Sequence, residues 1–556
     1  MNDDVASVRA MRFQKAEWAL AALVTIGIVW LHIYFSFHSG GLWRDEVNTV
    51  NLSQSSSVAD MARDSFPALL PIIIRCWSFV GFGAGDLSLR IFGALIGISL
   101  VVAFWANAWT VRKTPPLIGL LLMGVNSIAI TYTDSIRAYG LGSCLIVFTM
   151  AAIWHLLRQP NWPRTILAAS TAILSAQALY QNTVFIGAIC IGAWIVCWRR
   201  KQWNAALKIL LVGLAAALSL IPYWNLIAGL PDSMVGIRRT LDFQQAYTNL
   251  DTATGFPIGQ YLYVWEFLVA VVIIVGLIAM LPSNSVTKKT SGKVGQNEIQ
   301  DIYVFAGCTL FIGLVGFFGF SWLASMTIRI WYFIPLMAFV AACFDLGRPP
   351  LPLRFQSIPF GFATATAFVA LPIAQHDLNW RFTNIDLIAR RLNIESAKDD
   401  LIIITPWFCG ISFDRYYQGS ATWQTLPPLA DHSLHRFDLV REQMKRTLVA
   451  IPVIEQIKHS LENGHNIWYA SLWQIDLPPS GQPLPADLPP APSLPSGWAD
   501  SPYRHTWESQ VLQAISNYST NFVPVYKIKF DGFNMDENLF LYTASGWRTN
   551  QPATNR

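Results

Sequence analysis

The chain has 556 residues, 53% of them hydrophobic and 13% charged, with a mean hydropathy of +0.38. This balance excludes a string of soluble domains and reads as a polytopic membrane protein, in which lipid takes the apolar surface that a core would otherwise hold. The net charge of +5 lies in short loops, which speaks of topology and against nucleic acid as a partner; seven cysteines without a Cys-x-x-Cys pair supply neither a zinc nor a disulfide framework.

Apolar runs of about 17 to 22 residues are expected to cross the membrane. They fall at Trp18 to Phe37, Leu89 to Thr110, Leu117 to Tyr132, Tyr139 to Leu157, Ile166 to Tyr180, Thr183 to Cys197, Ile209 to Ile227, Tyr261 to Leu281, Ile302 to Trp322, Ile328 to Phe344 and Ile358 to Ile373, about eleven spans in all. Pairs meeting near Asp134, Gln181 and Ser325 turn almost without a loop. Within the first loop, residues 38–88, the stretch Pro67 to Phe82 carries Arg75 and reads as a helix lying at the interface. The 23 tryptophans, many at span ends such as Trp18, Trp109 and Trp322, form an ordinary interfacial belt.

Basic residues set the expected orientation. Arg9, Arg12 and Lys15 precede the first span, and Arg112 with Lys113, Arg158 with Arg164, Arg199 to Lys201 with Lys208, Lys288 with Lys289 and Lys293, and Arg348 with Arg354 fall in alternate loops. By the positive-inside rule these face the cytoplasm, with the N-terminus, in a plasma (inner) membrane. The N-terminal segment lacks a small-residue cleavage site and reads as a retained anchor. An odd number of spans then puts the first loop and the tail outside. Residues 1–375 form the membrane module; residues 376–556 are polar and read as an extracytoplasmic (periplasmic) α/β domain. Its expected elements are strands Leu401 to Thr405, Asn466 to Trp473 and Val525 to Phe530, a helix Val449 to Asn463 and a proline-rich loop over 477–498. Asp399, Asp400 and Asp414 lie at strand ends or turns and read as turn formers or surface charges.

The stretch Gly41-Leu42-Trp43-Arg44-Asp45-Glu46-Val47-Asn48 follows the first span. Two adjacent carboxylates at a membrane surface repel each other and are costly to desolvate, so the pair is either a solvated acidic loop or an acid/base or cation site. Other polar residues expected on that face are Asp134, Arg137 and Tyr139 in the turn between the third and fourth spans, Arg238 and Arg239 after the seventh, and Arg329 at the start of the tenth. Arginines there run against the positive-inside bias: each either snorkels to lipid phosphate or holds a substrate phosphate in its planar fork. Carboxylates and arginines together suit a phosphate-bearing lipid beside an acid/base reaction. No cofactor is required by these residues; a divalent cation at Asp45 and Glu46 is a further occupant, although two carboxylates alone make a weak site. The rival class is a lipid-linked sugar transporter or flippase, which would place charges near the midplane in broken helices and often in two similar halves. The chain shows no internal repeat, and its polar residues gather at one face.

Asp45-Glu46 after the first span, then Phe66-Pro67-Ala68-Leu69-Leu70, Gly81-x-Gly83, Leu89-Arg90-Ile91-Phe92-Gly93-Ala94-Leu95, Arg137-x-Tyr139, and the join Asn379-Trp380-Arg381 to Asp399-Asp400-Leu401-Ile402 stand in an order that resembles the bacterial GT-C membrane glycosyltransferases. That group includes protein O-mannosyltransferases, aminoarabinose transferases of lipid A, and related galacturonosyl and mannosyl transferases. The resemblance covers roughly Trp18 to Ile373 and the join; order and spacing carry it. Phe66-Pro67 departs from the His-Pro or Lys-Pro pair of many relatives.

The resemblance implies a mainly α fold, a GT-C helical bundle with a C-terminal α/β domain. It also implies transfer of a sugar from a polyprenyl-phosphate donor to a hydroxyl of a glycan, lipid or protein acceptor, with inversion. Asp45 would be the general base and Glu46 would position the acceptor or hold a cation. Arg137 and Arg329 would neutralise the leaving phosphate, with Asp134 and Tyr139 orienting the arginine. A lipid donor fits a chain that has neither a glycine-rich phosphate loop nor a dinucleotide fingerprint.

Overall fold

The computed structural model describes residues 2–62, 66–225, 242–281, 293–324, 328–349, 355, 357–491, 499–526 and 537–549. The chain divides into two compact units: a helical unit of residues 1–37, 56–225 and 239–379, and an α/β unit of residues 38–55, 226–238 and 380–556. The segment carrying Asp45 and Glu46, which the sequence places with the membrane module, is thus grouped with the C-terminal tail.

In the helical unit, nine helices among the described residues are long and apolar enough to cross a membrane: Met11–His38, Asp86–Val111, Ala138–Arg158, Asn182–Arg200, Trp203–Tyr223, Tyr261–Met280, Asn297–Leu323, Ile330–Gly347 and Ser357–Asp377. The chain is a multi-pass membrane protein. The two remaining expected spans differ in form. Trp162–Ala178 is a 17-residue helix. The run from Leu117 is broken into Leu117–Gly119, a wide turn Leu120–Gly124 and a new helix Ser127–Thr133. Asn126 starts that last helix, its Oδ1 accepting from the N–H of Ile128 and Ala129 at 2.9 and 3.1 Å, as an N-cap asparagine does. Asp345 holds the first piece by accepting from the N–H of Ile118 and Gly119, both at 3.0 Å.

Glycines set the helix spacing where lipid offers no hydrophobic drive for association. Gly276 and Gly307 face each other across Tyr261–Met280 and Lys293–Leu323, and a Cβ on either would stand 2.9 Å from the other's Cα. Leu69–Trp77 and the wide turn Ser78–Phe82 occupy the expected interfacial stretch, with Phe79, Val80 and Phe82 exposed.

The α/β unit is built on a mixed five-stranded sheet: β1 Leu401–Thr405, β2 Thr422–Thr425, β3 Ile467–Ser471, β4 Ser519–Tyr526 and β5 Phe540–Trp547, in the order β2-β1-β3-β5-β4. β1 runs parallel to β2 and β3, whereas β5 is antiparallel to both β3 and β4. Alternate side chains of the fully buried β1 feed two cores. Leu401 and Ile403 pack with Val453, Ile457, Val511 and Ile515 of Ile451–Glu462 and Ser501–Tyr518; Ile402 and Ile404 pack with Ile385, Ile388, Leu392 and Phe413 of Ile385–Glu395 and Gly410–Tyr416. Helices on both faces explain why β1 reads as an unbroken apolar run. Two of the expected strands and the helix recur within a few residues; of the Val525–Phe530 stretch, residues 527–530 lie outside the described residues. Asp400 is buried, accepting from the N–H of Ala397 and Asn466 and from Trp468 Nε1 at 2.9 to 3.0 Å, while Asp399 and Asp414 are exposed.

Candidate functional site

Asp45 stands in the first turn of the helix Arg44–Ser53, within the α/β unit. The chain enters this helix through Gly40, at φ +71°, a left-handed conformation that glycine adopts without strain. A Cβ there would also strike the Arg381 guanidinium, which pairs with Asp386 at 2.5 Å. Trp43 stacks on Phe382 with ring centres 5.7 Å apart, and Tyr416 Oη accepts from the Leu42 N–H at 2.6 Å. The join residues around Arg381 therefore fix where the acidic helix begins.

The two carboxylates differ in environment. Glu46 is 0% exposed and turns back so that Oε2 accepts from the Trp43 N–H at 3.2 Å, satisfying a donor that the helix leaves open. Asp45 is partly exposed and receives a hydrogen bond from His435 Nε2 to Oδ1 at 3.1 Å. The loop that brings His435 is laid along one helix face, where Asp45, Asn48 and Asn51 are spaced three apart. Asn48 Oδ1 accepts from the His435 N–H at 3.0 Å, and Asn51 Nδ2 donates to the Ser433 carbonyl at 2.7 Å.

A third carboxylate lies beneath them. Glu537 is fully buried, with Oε2 accepting from the Arg44 N–H at 3.0 Å and Oε1 from Ser412 Oγ at 2.9 Å. Burial pushes its carboxyl up to about 8, against the opposing pull of the Arg44 charge and these bonds. The Arg44 guanidinium sits over the Phe408 ring at 4.6 Å.

Arg137 and Arg329 belong to the helical unit. Arg137 is 5% exposed, opens the helix Ala138–Arg158 and lies 4.5 Å over the ring of Phe66. Phe66 meets Tyr139 edge-on at 5.4 Å, and Tyr139 meets Tyr332 at 6.0 Å. Phe66 thus puts an aromatic face under the arginine, a cation–π contact. Arg329 is exposed, three residues ahead of Tyr332, in a segment held by Gln181 Nε2 donating to the Tyr332 carbonyl at 3.2 Å and Asn249 Nδ2 to the Ile328 carbonyl at 2.7 Å.

Asp134 takes a partner that sequence reasoning missed, the buried His32 of the first span, whose Nδ1 is 2.7 and 2.9 Å from the two carboxylate oxygens. Gly93 and Gly97 make this approach feasible: a Cβ on Gly93 would stand 1.9 Å from the Asp134 carbonyl, and one on Gly97 2.1 Å from Asp134 Oδ1. Arg238 and Arg239 lie outside the described residues.

The chain matches the crystal structure of ArnT from Cupriavidus metallidurans in the apo state, with TM-score 0.50 and 9% identity, over 81% of this chain and 92% of that one. The fold is of the GT-C type. Two further GT-C structures align at TM-score 0.42: archaeal oligosaccharyltransferase AglB from Archaeoglobus fulgidus, in complex with an inhibitory peptide and a dolichol-phosphate, at 9% identity over 82% of this chain and 69% of AglB; and arabinofuranosyltransferase AftD from mycobacteria, at 13% identity over 96% of this chain and 42% of AftD. No protein-family model matches the sequence, nor does any curated protein. The GT-C likeness is one of three-dimensional fold, at identities where sequence similarity has faded.

Among the described residues no three His, Cys, Asp or Glu side chains gather to hold a metal, and the nearest oxygen of Glu46 is taken by the Trp43 N–H.

Proposed function

We propose that this protein is a membrane glycosyltransferase that moves a sugar from a polyprenyl-phosphate donor to an acceptor hydroxyl outside the cytoplasm. The observation that carries this reading is Asp45. It is a carboxylate placed by a helix start, partly open, and held at one oxygen by a histidine, in a chain with a GT-C fold. ArnT, an aminoarabinose transferase, supports the reaction class through that fold.

Asp45 takes the proton of the acceptor hydroxyl as its oxygen bonds to the anomeric carbon. The carbon–oxygen bond to the lipid phosphate breaks on the opposite face, so the product is inverted. A carboxylate is a weak base, which suits an oxocarbenium-like transition state in which the proton leaves late. The guanidinium groups of Arg137 and Arg329 offset charge growing on the phosphate. Glu46 and Glu537 hold the helix start that carries the base. No step calls for a metal. Membrane lipid surrounds the helical unit, and the acceptor is a glycan, lipid or protein on the outer side of an inner membrane.

Mass spectrometry of cell-envelope glycans, glycolipids and glycoproteins, with and without the gene, tests the reading together with identification of lipid that co-purifies with the chain. One envelope species should lack a single sugar, and a polyprenyl phosphate should co-purify. An unchanged envelope and a protein free of prenyl lipid would overturn it.

A further inference from the structure

We propose that His435 is a positioning residue for Asp45, setting the rotation of its carboxylate toward the acceptor. The inference rests on the reading of Asp45 as the base. The loop around His435 is already tied to the acidic helix by two bonds that do not involve its ring, from the His435 N–H to Asn48 and from Asn51 to the Ser433 carbonyl. The imidazole is therefore surplus to docking. It lies flat on Phe437, with ring centres 5.6 Å apart and planes 8° from parallel, and its Nδ1 is buried without a hydrogen-bond partner among the described residues. Leaving a buried ring nitrogen unsatisfied is costly, so a ring kept for loop stability alone would be better replaced by an apolar one. Its one polar contact among the described residues is Nε2 to Asp45 Oδ1. That contact requires the proton on Nε2, a tautomer assigned from the hydrogen-bond network. A ring stacked on Phe437 that meets one carboxylate oxygen constrains the rotation of that carboxylate, and misplacement of a reacting group by about 1 Å costs on the order of a hundredfold in rate.

The test compares His435→Gln, His435→Asn and His435→Ala with Asp45→Asn in the full-length protein. Synthetic polyprenyl-phosphate pentoses and hexoses serve as donors, an envelope extract as the acceptor source, and release of polyprenyl phosphate as the readout. A glutamine amide nitrogen reaches the place of Nε2, whereas an asparagine nitrogen reaches only that of Nδ1. The alanine and asparagine variants should lose roughly ten- to hundredfold in kcat with donor KM unchanged, and glutamine should recover most of it. Parent kcat in His435→Ala, a glutamine variant as slow as alanine, or a loss confined to KM would overturn the role of His435. Parent turnover in Asp45→Asn would instead overturn the base reading itself.

Discussion

Asp45 and His435 are 390 positions apart in sequence and 3.1 Å apart in the fold. The pairing separates the two acidic neighbours. Asp45 faces a side chain from the loop that follows β2, while Glu46 is turned back to its own helix start.

Different consequences follow for the two carboxylates. Asp45→Asn should lower transfer by about 10²–10⁴ with the melting temperature unchanged, because an amide of equal size cannot take the proton. Glu46→Gln keeps an oxygen for the Trp43 N–H and should be mild, whereas Glu46→Ala should cost about 1 kcal/mol through the lost cap. Calorimetry and turnover in parallel check this, and a chelator added to the parent should change neither. Metal-dependent activity would return Glu46 to the role of cation ligand.

Arg137 over Phe66 gives a second expectation. Arg137→Ala should weaken use of the donor more than Arg137→Lys, since lysine keeps the charge and loses the planar fork. Phe66→Leu should weaken it as well, by up to about 1–2 kcal/mol in apparent donor affinity, the size of a desolvated cation–π contact. Arg199→Ala, in the last turn of Asn182–Arg200 at the end expected on the cytoplasmic side, is the control. Equal donor titrations for all four variants would remove the phosphate role from Arg137.

Glu537 makes stability depend on pH. An ordinary glutamate releases its proton near 4.5 and Glu537 near 8, so between these values the folded chain holds a proton that the unfolded chain has given up. Its contribution is fully present below about 4.5 and is lost as the pH rises through 8. The melting temperature should therefore fall between pH 5 and pH 8 by this route, and Glu537→Gln should flatten the decline. Superimposable pH profiles would show that Glu537 is not the buried acid responsible.

Orientation is open to a chemical test at Cys76, the one exposed cysteine of the seven. It lies in Leu69–Trp77, within the loop expected outside. A membrane-impermeant maleimide should label it in intact spheroplasts, and Cys76→Ser should abolish that labelling. Reaction only in inside-out vesicles would invert the topology.

What could be read in the sequence was local. The Asp45-Glu46 pair, the long apolar helices and β1, with its run of leucine and isoleucine, each announce themselves within a few residues. The break at Asn126 had a local signal too, an asparagine followed by serine inside an apolar run, but length outweighed it. His32, His435 and Glu537 gave none, because each acquires meaning from a partner far along the chain. β2, four residues long, and β5, interrupted by Gly546, lack the alternation that marks a strand. Gly93 stood in the resemblance pattern without a reason; the reason is the Asp134 carbonyl pressed against it.

The α/β unit draws on both an early and a late part of the chain, with His38–Ser55 and Trp380–Arg556 standing on either side of nearly all of the membrane-spanning sequence. Ribosomes add about 5–20 residues per second, so the acidic helix leaves the ribosome some tens of seconds before the loop that carries His435. During that interval its buried face, Val47, Val50 and Leu52, has no sheet to cover it. Closing so long a loop is also slow in itself. A chain cut short before His435 therefore lacks the imidazole that meets Asp45 Oδ1, whatever its helices have done.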